Sequence, residues 1–395
     1  MAHPMGDIRI LMSSRVLLDL EKADTVFKRA YNRAYEKASQ KYGAEEAARI
    51  SHDKAVKAYT DYVCCEGRYK NNYDPEIDGR RFSKGPMWDF AVAALKLNEL
   101  AGEPIVEIGL SCKDEAKSAL PIYRNLDVAG FSDIHLRMAT SGSALSSEDH
   151  ESFGTDLLLT RNMEDAQLAI NNGIAVAVIN FPPNGHKYSH NGEPIQIWVD
   201  GDAVAFGSSS EVRYRREGLE VYREMEKKDF NKEVEPGPFT EILAKISKLN
   251  ARFPRGRQPF EISLLTARGA DAAARVFRIA QHHGIEFNGR MYFMGGAAKV
   301  NPLKAHKPDL YLDDQMVHLK ESSKYCPTGL VAYPENSAMH QYVQEQAAGI
   351  QNAEIASAKG REDFQKNAKE TGSAPEQTAP SNANPRRSSR KPGMP

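Results

Sequence analysis

Cysteine is scarce: the 395 residues hold four, Cys64, Cys65, Cys112 and Cys326, with no C-x-x-C pair. That excludes a disulfide framework and a cysteine-based zinc site, and it fits a reducing compartment. Long hydrophobic runs are missing too. The most apolar stretch, Ile174 to Ile179, is far short of the ~20 residues that span a bilayer. The N-terminus, M-A-H-P-M-G-D, lacks the basic and apolar blocks of a signal peptide. A soluble, cytoplasmic chain with no membrane partner is expected. Charge of one sign is not in excess either: 52 Lys and Arg face 53 Asp and Glu, a net charge of −1, so no nucleic-acid partner is expected. What is present is ordinary for a globular protein, 41 % apolar and 27 % charged residues, which argues against wholesale disorder. The length suffices for two domains and a remainder.

Along the chain, Ile8 to Leu18 reads as a buried strand. Glu21 to about Val63 turns helical, with Phe27, Ala30, Tyr31, Ala34 and Tyr35 at three and four spacing. Further strands are expected at 105–110, 134–138, 157–159, 174–179, 195–199, 261–265, 291–294, 310–312 and 330–332. Helices are expected at 87–100, 114–126, 239–249 and 270–283. Phe181 to Pro194, with Pro182, Pro183, Gly185, Gly192 and Pro194, reads as a linker. Strands alternating with helices imply an α/β fold: a parallel sheet with helices on both faces. After about Gln351 the chain is rich in Ala, Ser, Asn, Pro and charge, so 351–395 is expected to be a disordered tail.

A long-period repeat runs through the sequence. Gly85-Pro86 and Gly237-Pro238 are each followed by K-L-N, ending at Asn98 and Asn250, an offset of 152. V-E-I-G-L-S-C, ending at Cys112, matches F-E-I-S-L-L-T, ending at Thr266, and D-L-L-L-T-R-N-M from Asp156 matches D-L-Y-L-D-D-Q-M from Asp309. I-L-M-S-S-R-V matches I-W-V-D-G-D-A, setting Ser13 against Asp200. The extra length in the first half falls within the helical region 21–81. The halves differ in their acids. Asp200, Asp202 and Asp313-Asp314 face Ser13, Arg15 and Thr160-Arg161, and Lys299 faces about Ser143. Carboxylates attract a divalent cation and arginines repel one, so the chemistry is expected in the second half.

Four pieces there stand at expected strand ends, where open α/β sheets place ligands. They are V-D-G-D-A-V-A-F with Asp200 and Asp202, L-L-T-A-R with Thr266, G-G-A-A-K with Lys299, and Y-L-D-D-Q with Asp313 and Asp314. Carboxylates, a hydroxyl and a lysine suit phosphoryl transfer, which needs a nucleophile, a metal and donors to the phosphoryl oxygens. Mg²⁺ prefers such oxygen ligands.

In this order the four pieces resemble the haloacid dehalogenase superfamily of phosphatases. V-D-G-D-A-V-A-F, L-L-T-A-R-G-A, G-G-A-A-K and Y-L-D-D-Q-M-V-H, with the N-terminal S-S-R, more closely resemble the cytosolic 5′-nucleotidase type I family, over roughly Ile8 to Pro334. The resemblance implies two tandem Rossmann-like units with parallel sheets flanked by helices. Residues 7–181 would be degenerate, with the helical insertion at about 21–81, and 194–335 catalytic, with a small helical cap at 207–235. It implies Mg²⁺-dependent hydrolysis of nucleoside 5′-monophosphates (AMP, IMP or deoxynucleotides) through an aspartyl-phosphate. Asp200 would be the nucleophile and Asp202 the acid and then the base. Thr266 and Lys299 would hold the phosphoryl group. Asp200, the Asp202 carbonyl and Asp314 would hold the metal, with Asp313 beside it.

Phe206 and Arg268 are further candidates for substrate binding, with core packing the favoured reading of Phe206 and a carboxylate pair an equal reading of Arg268, and Arg213, Tyr214, Arg215 and Arg216 lie in the expected cap. His282, His283 and His306 do not form a ligand spacing. The catalytic set is shared with phosphatases of other small esters, and a non-catalytic nucleotide-binding regulator is a further alternative. The first half is open to three roles: packing support, completing the pocket, or binding an effector nucleotide. Oligomeric state is not legible.

Overall fold

Ten short strands carry the β-forming runs: β1 (Ile8–Ser13), β2 (Val106–Cys112), β3 (Arg137–Ala139), β4 (Leu157–Thr160), β5 (Ala175–Asn180), β6 (Ile195–Val199), β7 (Phe260–Thr266), β8 (Met291–Phe293), β9 (Leu310–Asp313) and β10 (Thr328–Leu330). The computed structural model describes residues 6–180, 193–228, 232 and 234–347. The central strands read as near-continuous apolar runs because both faces of the sheet are covered; β4 and β9 are buried at all four positions. All ten form one sheet, ordered β3-β2-β1-β4-β5-β10-β9-β6-β7-β8. Every pairing is parallel except β5 with β10. The sheet is thus mixed but mostly parallel. Its halves have the same strand order and meet at their fifth strands. Gly329 makes that seam possible: a Cβ there would lie 2.7 Å from the Ala177 side chain and 2.8 Å from that of Leu312.

The helices are α1 (Ser14–Leu17), α2 (Glu21–Ala38), α3 (Ala44–Val63), α4 (Trp88–Ala101), α5 (Ala116–Val128), α6 (Ser147–Phe153), α7 (Met163–Asn171), α8 (Ser209–Glu217), α9 (Leu219–Lys228), α10 (Thr240–Asn250), α11 (Ala273–His282), α12 (Val300–His306) and α13 (Met316–Ser322). The expected strand 8–18 stops at Ser13, which caps a single turn whose Val16 and Leu17 are fully buried; an apolar run alone does not separate strand from buried helix. The expected helical stretch 21–63 is two helices, broken by the turn before Gly43. Strand 134–138 shifts to β3, leaving Ile134 buried in the preceding loop. Helices α6, α7, α12 and α13 were too short to show a period. No described helix is long and apolar enough to cross a membrane.

The residues shared between the halves do the same work in each. Asn98, in the last turn of α4, donates to the Val106 carbonyl (2.8 Å) and accepts from the Ile105 and Val106 amides. Asn250 does likewise at Phe260 (2.9 and 3.2 Å). Asp156 accepts from the Arg9 amide and Asp309 from the Gln196 amide, both at 2.8 Å. A Cβ on Gly85 would strike the Leu17–Leu18 backbone, and one on Gly237 the backbone of Val204 and Phe206. These are satisfied backbone groups and close approaches, which tolerate little substitution.

One hydrophobic core runs through both halves, from Trp88, Phe90 and Leu110 to Phe206, Phe239 and Phe260. Lys245 of α10 binds Asp156 at 2.6 and 2.7 Å, and Arg252 pairs with Asp7 and Glu103. The described residues up to Tyr342 accordingly pack as one unit. The expected linker 181–194 lies almost wholly outside the described residues, as does the expected tail 351–395.

Candidate active site

β6 and β9 are neighbours, paired Val199 with Leu312, so the residues just beyond them converge at one end of the sheet. Asp200 follows β6, its amide bonded to the Leu312 carbonyl at 2.9 Å. The chain then turns sharply. The Phe206 amide returns to the Gly201 carbonyl (2.9 Å), and Ala203 is held at φ 62°, a conformation that costs a non-glycine residue energy and that clusters at functional sites. Gly201 passes close to β7: a Cβ there would be 3.2 Å from Thr266 Oγ1. Thr266 ends β7 and is 1 % exposed. Lys299 arrives from the turn after β8, where Gly295 and Gly296 both take positive φ.

These strand ends build a buried, charged centre. Lys299 Nζ lies 2.7 Å from Asp200 Oδ2 and 2.8 Å from Asp313 Oδ2. Asp313 is fully buried and saturated. It accepts from Tyr311 OH, Lys299 and the Gln315 amide (2.8 Å), and His318 Nδ1 lies at 3.1 Å. Burial pushes its carboxyl up, but Lys299 and His318 outweigh that and bring it down to about 2. Burial raises Asp200 to about 7, with Lys299 opposing and Asp313 reinforcing. Burial, then Asp200 and Asp313, raise Asp314 well above the usual carboxylate range. Three carboxylates thus share one lysine.

The carboxylate oxygens of Asp200, Asp313 and Asp314 lie within 4.8 Å of one another. Tyr333 donates to Asp314 Oδ2 at 2.5 Å, but the buried Asp314 Oδ1 has no hydrogen-bond partner. A buried carboxylate oxygen left without a donor is costly. An all-oxygen donor set of three carboxyl groups beside one ammonium suits a hard divalent cation such as Mg²⁺. The donor set therefore fits the metal, with Asp314 offering the free oxygen and Asp313 already committed elsewhere.

Asp202 comes to the same place, gripped two-pronged by Arg268 (Nε to Oδ2 2.8 Å, Nη2 to Oδ1 2.6 Å). Asp200, Asp202, Thr266, Arg268, Lys299, Asp313 and Asp314 are therefore brought together. Phe206 is not. It is fully buried, edge-on to Phe287 at 6.4 Å in the core. The tight turn after Asp202 folds it under the site, which corrects the expectation of a substrate contact. Within the expected cap, Arg215 is paired with Glu211 at 2.8 Å and within electrostatic reach of Asp314 and Tyr333. Tyr222 of α9 lies with its ring centre 6.0 Å from the Arg268 guanidinium, edge-on to Tyr214. His283 bonds the Val234 carbonyl and His306 the Tyr292 hydroxyl, away from the carboxylates. Tyr311, His318, Tyr333 and Tyr222 escaped the sequence reading. Tyr311 and His318 lie inside the Y-L-D-D-Q-M-V-H run, but nothing in its spacing shows that they bond Asp313.

The sequence profile of a family described as 5′-nucleotidase matches residues 42–338. The human protein "Cytosolic 5'-nucleotidase 1B" (Homo sapiens) is 27% identical over 175 residues, covering 43% of this chain and 28% of that protein. The chain thus matches little more than a quarter of that relative's length. Among solved structures, a dehalogenase is 10% identical with a TM-score of 0.27, covering 47% of this chain and 89% of the other. A histidinol dehydrogenase from Elizabethkingia anophelis is 11% identical with a TM-score of 0.21, covering 85% and 82%. Likenesses this weak add nothing to what the sheet itself displays.

Proposed function

The chain belongs to the 5′-nucleotidase family, and from that premise we propose that it is a Mg²⁺-dependent hydrolase of nucleoside 5′-monophosphates. The observation that carries the reading is the Asp200–Lys299–Asp313 cluster beside an unsatisfied Asp314 oxygen. In this reading an Asp200 oxygen attacks phosphorus, forming the aspartyl-phosphate as the bond to the ribose 5′-oxygen breaks. Asp202 delivers a proton to the departing oxygen. Both Asp202 oxygens are occupied by Arg268, so one of those bonds opens for the transfer. Water then attacks the phospho-aspartate, Asp202 takes its proton, and phosphate leaves. Lys299 and Thr266 bind the phosphoryl oxygens. Asp200, the Asp202 carbonyl and Asp314 would hold Mg²⁺, which neutralises phosphate charge when bound. Tyr222, above Arg268, replaces Phe206 as the aromatic that meets the nucleobase.

The same strand order and shared anchoring residues support two tandem Rossmann-like units of haloacid-dehalogenase type, 7–181 and 194–335, the first without the catalytic acids. Four free cysteines support a reducing, cytoplasmic setting.

The test is phosphate release from AMP, IMP, deoxynucleotides and sugar phosphates, with Mg²⁺ or EDTA. Mg²⁺-dependent release favouring nucleotides is expected, falling at least ~10³-fold in Asp200→Asn, since a nucleophile's loss removes the covalent route. Unchanged AMP hydrolysis in that variant excludes the mechanism, and a preference for sugar phosphates excludes the substrate.

A further inference from the structure

The segment after β10 joins the first half of the chain to the carboxylate centre. β10 lies at the seam: Leu330 pairs with Asp313 of β9 on one side and with Val178 of β5 on the other. The Val331 amide donates to the Asp313 carbonyl at 3.0 Å, so the chain leaves the sheet beside Asp313 and Asp314. The next two residues go to different neighbours. Ala332 belongs to a hydrophobic cluster of the first half, with Ala166, Ala169 and Ile170 of α7. Tyr333 turns to the second half, where its hydroxyl donates to Asp314 Oδ2 at 2.5 Å.

The main chain around Tyr333 is held by α7. Gln167 and Asn171 stand four residues apart, hence on one face of that helix. Gln167 Nε2 donates to the Tyr333 carbonyl and to Asn171 Oδ1, both at 3.0 Å. Asn171 Oδ1 also accepts from the Glu335 amide at 3.1 Å. One amide pair thus takes up the backbone groups on either side of Pro334, which has no N–H to offer and whose ring fixes φ between them. Farther on, the Met339 amide donates to the hydroxyl of Ser208, just ahead of α8, at 3.2 Å. The segment 331–339 is therefore tied at Asp313, on α7 and at the start of α8.

The consequence for Asp314 follows from its two oxygens. Oδ2 is taken by Tyr333 and the buried Oδ1 has no hydrogen-bond partner. The terminal torsion of an aspartate is broad, so a donor on one oxygen selects the orientation that leaves the other for a cation. Groups bonded to a metal's ligands in this way set ligand orientation and metal affinity.

We propose that Tyr333 is a positioning residue that aims Asp314 at Mg²⁺, and that α7 of the first half sets Tyr333 through Gln167 and Asn171. The inference rests on the metal reading given above. It gives the first half a part in the catalytic centre that needs no ligand of its own.

The experiment uses the full chain with Mg²⁺ and no nucleotide. Urea unfolding is followed from EDTA to high Mg²⁺, and the dissociation constant is read from the rise of stability with Mg²⁺ concentration. Asp314→Asn should abolish the rise, which assigns it to this centre. Tyr333→Phe keeps the ring and removes the hydroxyl, and should raise the dissociation constant about 10–100-fold. Gln167→Met should raise it about fivefold, the scale of one hydrogen bond, and should add nothing in the Tyr333→Phe background, since both act through one contact. A tyrosine that merely packs would lower stability in EDTA and leave the Mg²⁺ constant unchanged; that result overturns the proposal. Independent, additive effects of the two substitutions overturn the link to α7. Should Tyr333→Phe not fold by circular dichroism, Gln167→Met is read by itself, and an unchanged constant overturns the proposal. A wild-type chain that does not respond to Mg²⁺, or a response that survives Asp314→Asn, overturns the metal reading and this inference with it. A wild-type response that Tyr333→Phe leaves intact overturns this inference only.

Discussion

The carboxylate cluster makes a prediction that needs no substrate. With Asp200, Asp313 and Asp314 all ionised against Lys299, the centre carries two uncompensated negative charges; a divalent ion cancels them. Without metal, Asp200 sits at about 7 against an ordinary 3.8. Its folded-state value is raised, so the stability it contributes is full below 3.8 and is lost as pH climbs through about 7. At about 1.4 kcal/mol per pH unit, the whole displacement is on the order of 4 kcal/mol, of which roughly 3 kcal/mol falls between pH 5 and 7. Asp314, raised for the same reasons, adds in the same direction. His150 and His306 are lowered by burial and work the other way as pH rises towards 6.5, so the effect is read as a difference from Asp200→Asn, which keeps both histidines. The assay is urea unfolding in EDTA from pH 5 to pH 8. The wild-type chain should lose about 3 kcal/mol relative to the variant. Saturating Mg²⁺ should abolish the loss, because a bound cation holds the carboxylates ionised, and at one hundred times its dissociation constant it adds about 2.7 kcal/mol. Parallel curves for the two proteins, or a pH loss that Mg²⁺ does not relieve, would refute the charge reasoning.

Two further substitutions separate scaffold from site. Phe206→Ala should lower stability by about 3–5 kcal/mol, the usual cost of emptying a buried phenylalanine position, while the KM for AMP in the folded fraction is unchanged; a raised KM with little loss of stability would return Phe206 to the substrate. Asn98→Ala and Asn250→Ala each strand buried backbone groups at the start of β2 and β7, and each should cost about 2–3 kcal/mol in urea unfolding. A neutral result at either would remove it from the shared framework.

Much of this arrangement was legible in the sequence, for a physical reason. The residues identical between halves are those whose backbone partners are identical: Asn98 and Asn250 at strand starts, Asp156 and Asp309 on the amides of Arg9 and Gln196, the glycines under the first loop. Such residues cannot vary without stranding a buried polar group, so they survive as a readable repeat. Strands β6 and β9 were legible because burial on both faces makes them continuous apolar runs. The antiparallel seam was not, since nothing in T-G-L (328–330) distinguishes its direction, and only the space around Gly329 records it. Phe206 stood open between a base contact and the core because V-D-G-D-A-V-A-F places it near Asp202 in sequence, and the turn at Ala203 sends it inward. Tyr222 and His318 reach the site from helix faces and Tyr333 from the segment just after β10, where spacing carries no information about direction.

The two halves also show what a fixed framework leaves free. The register that sets Asp202 against Arg268 puts Arg15 and Asp114 at the matching places, where Arg15 pairs with Asp24 instead, so the scaffold holds opposite charges at these two positions but is indifferent to which is the acid. The Asp200 and Asp314 positions carry no such constraint, because no backbone group depends on their side chains except the adjacent Gly201 amide. Placing carboxylates there creates a negative deficit that a cation and a phosphate can share. The two halves then differ at these strand ends in the charge of two side chains, on a sheet that treats both alike.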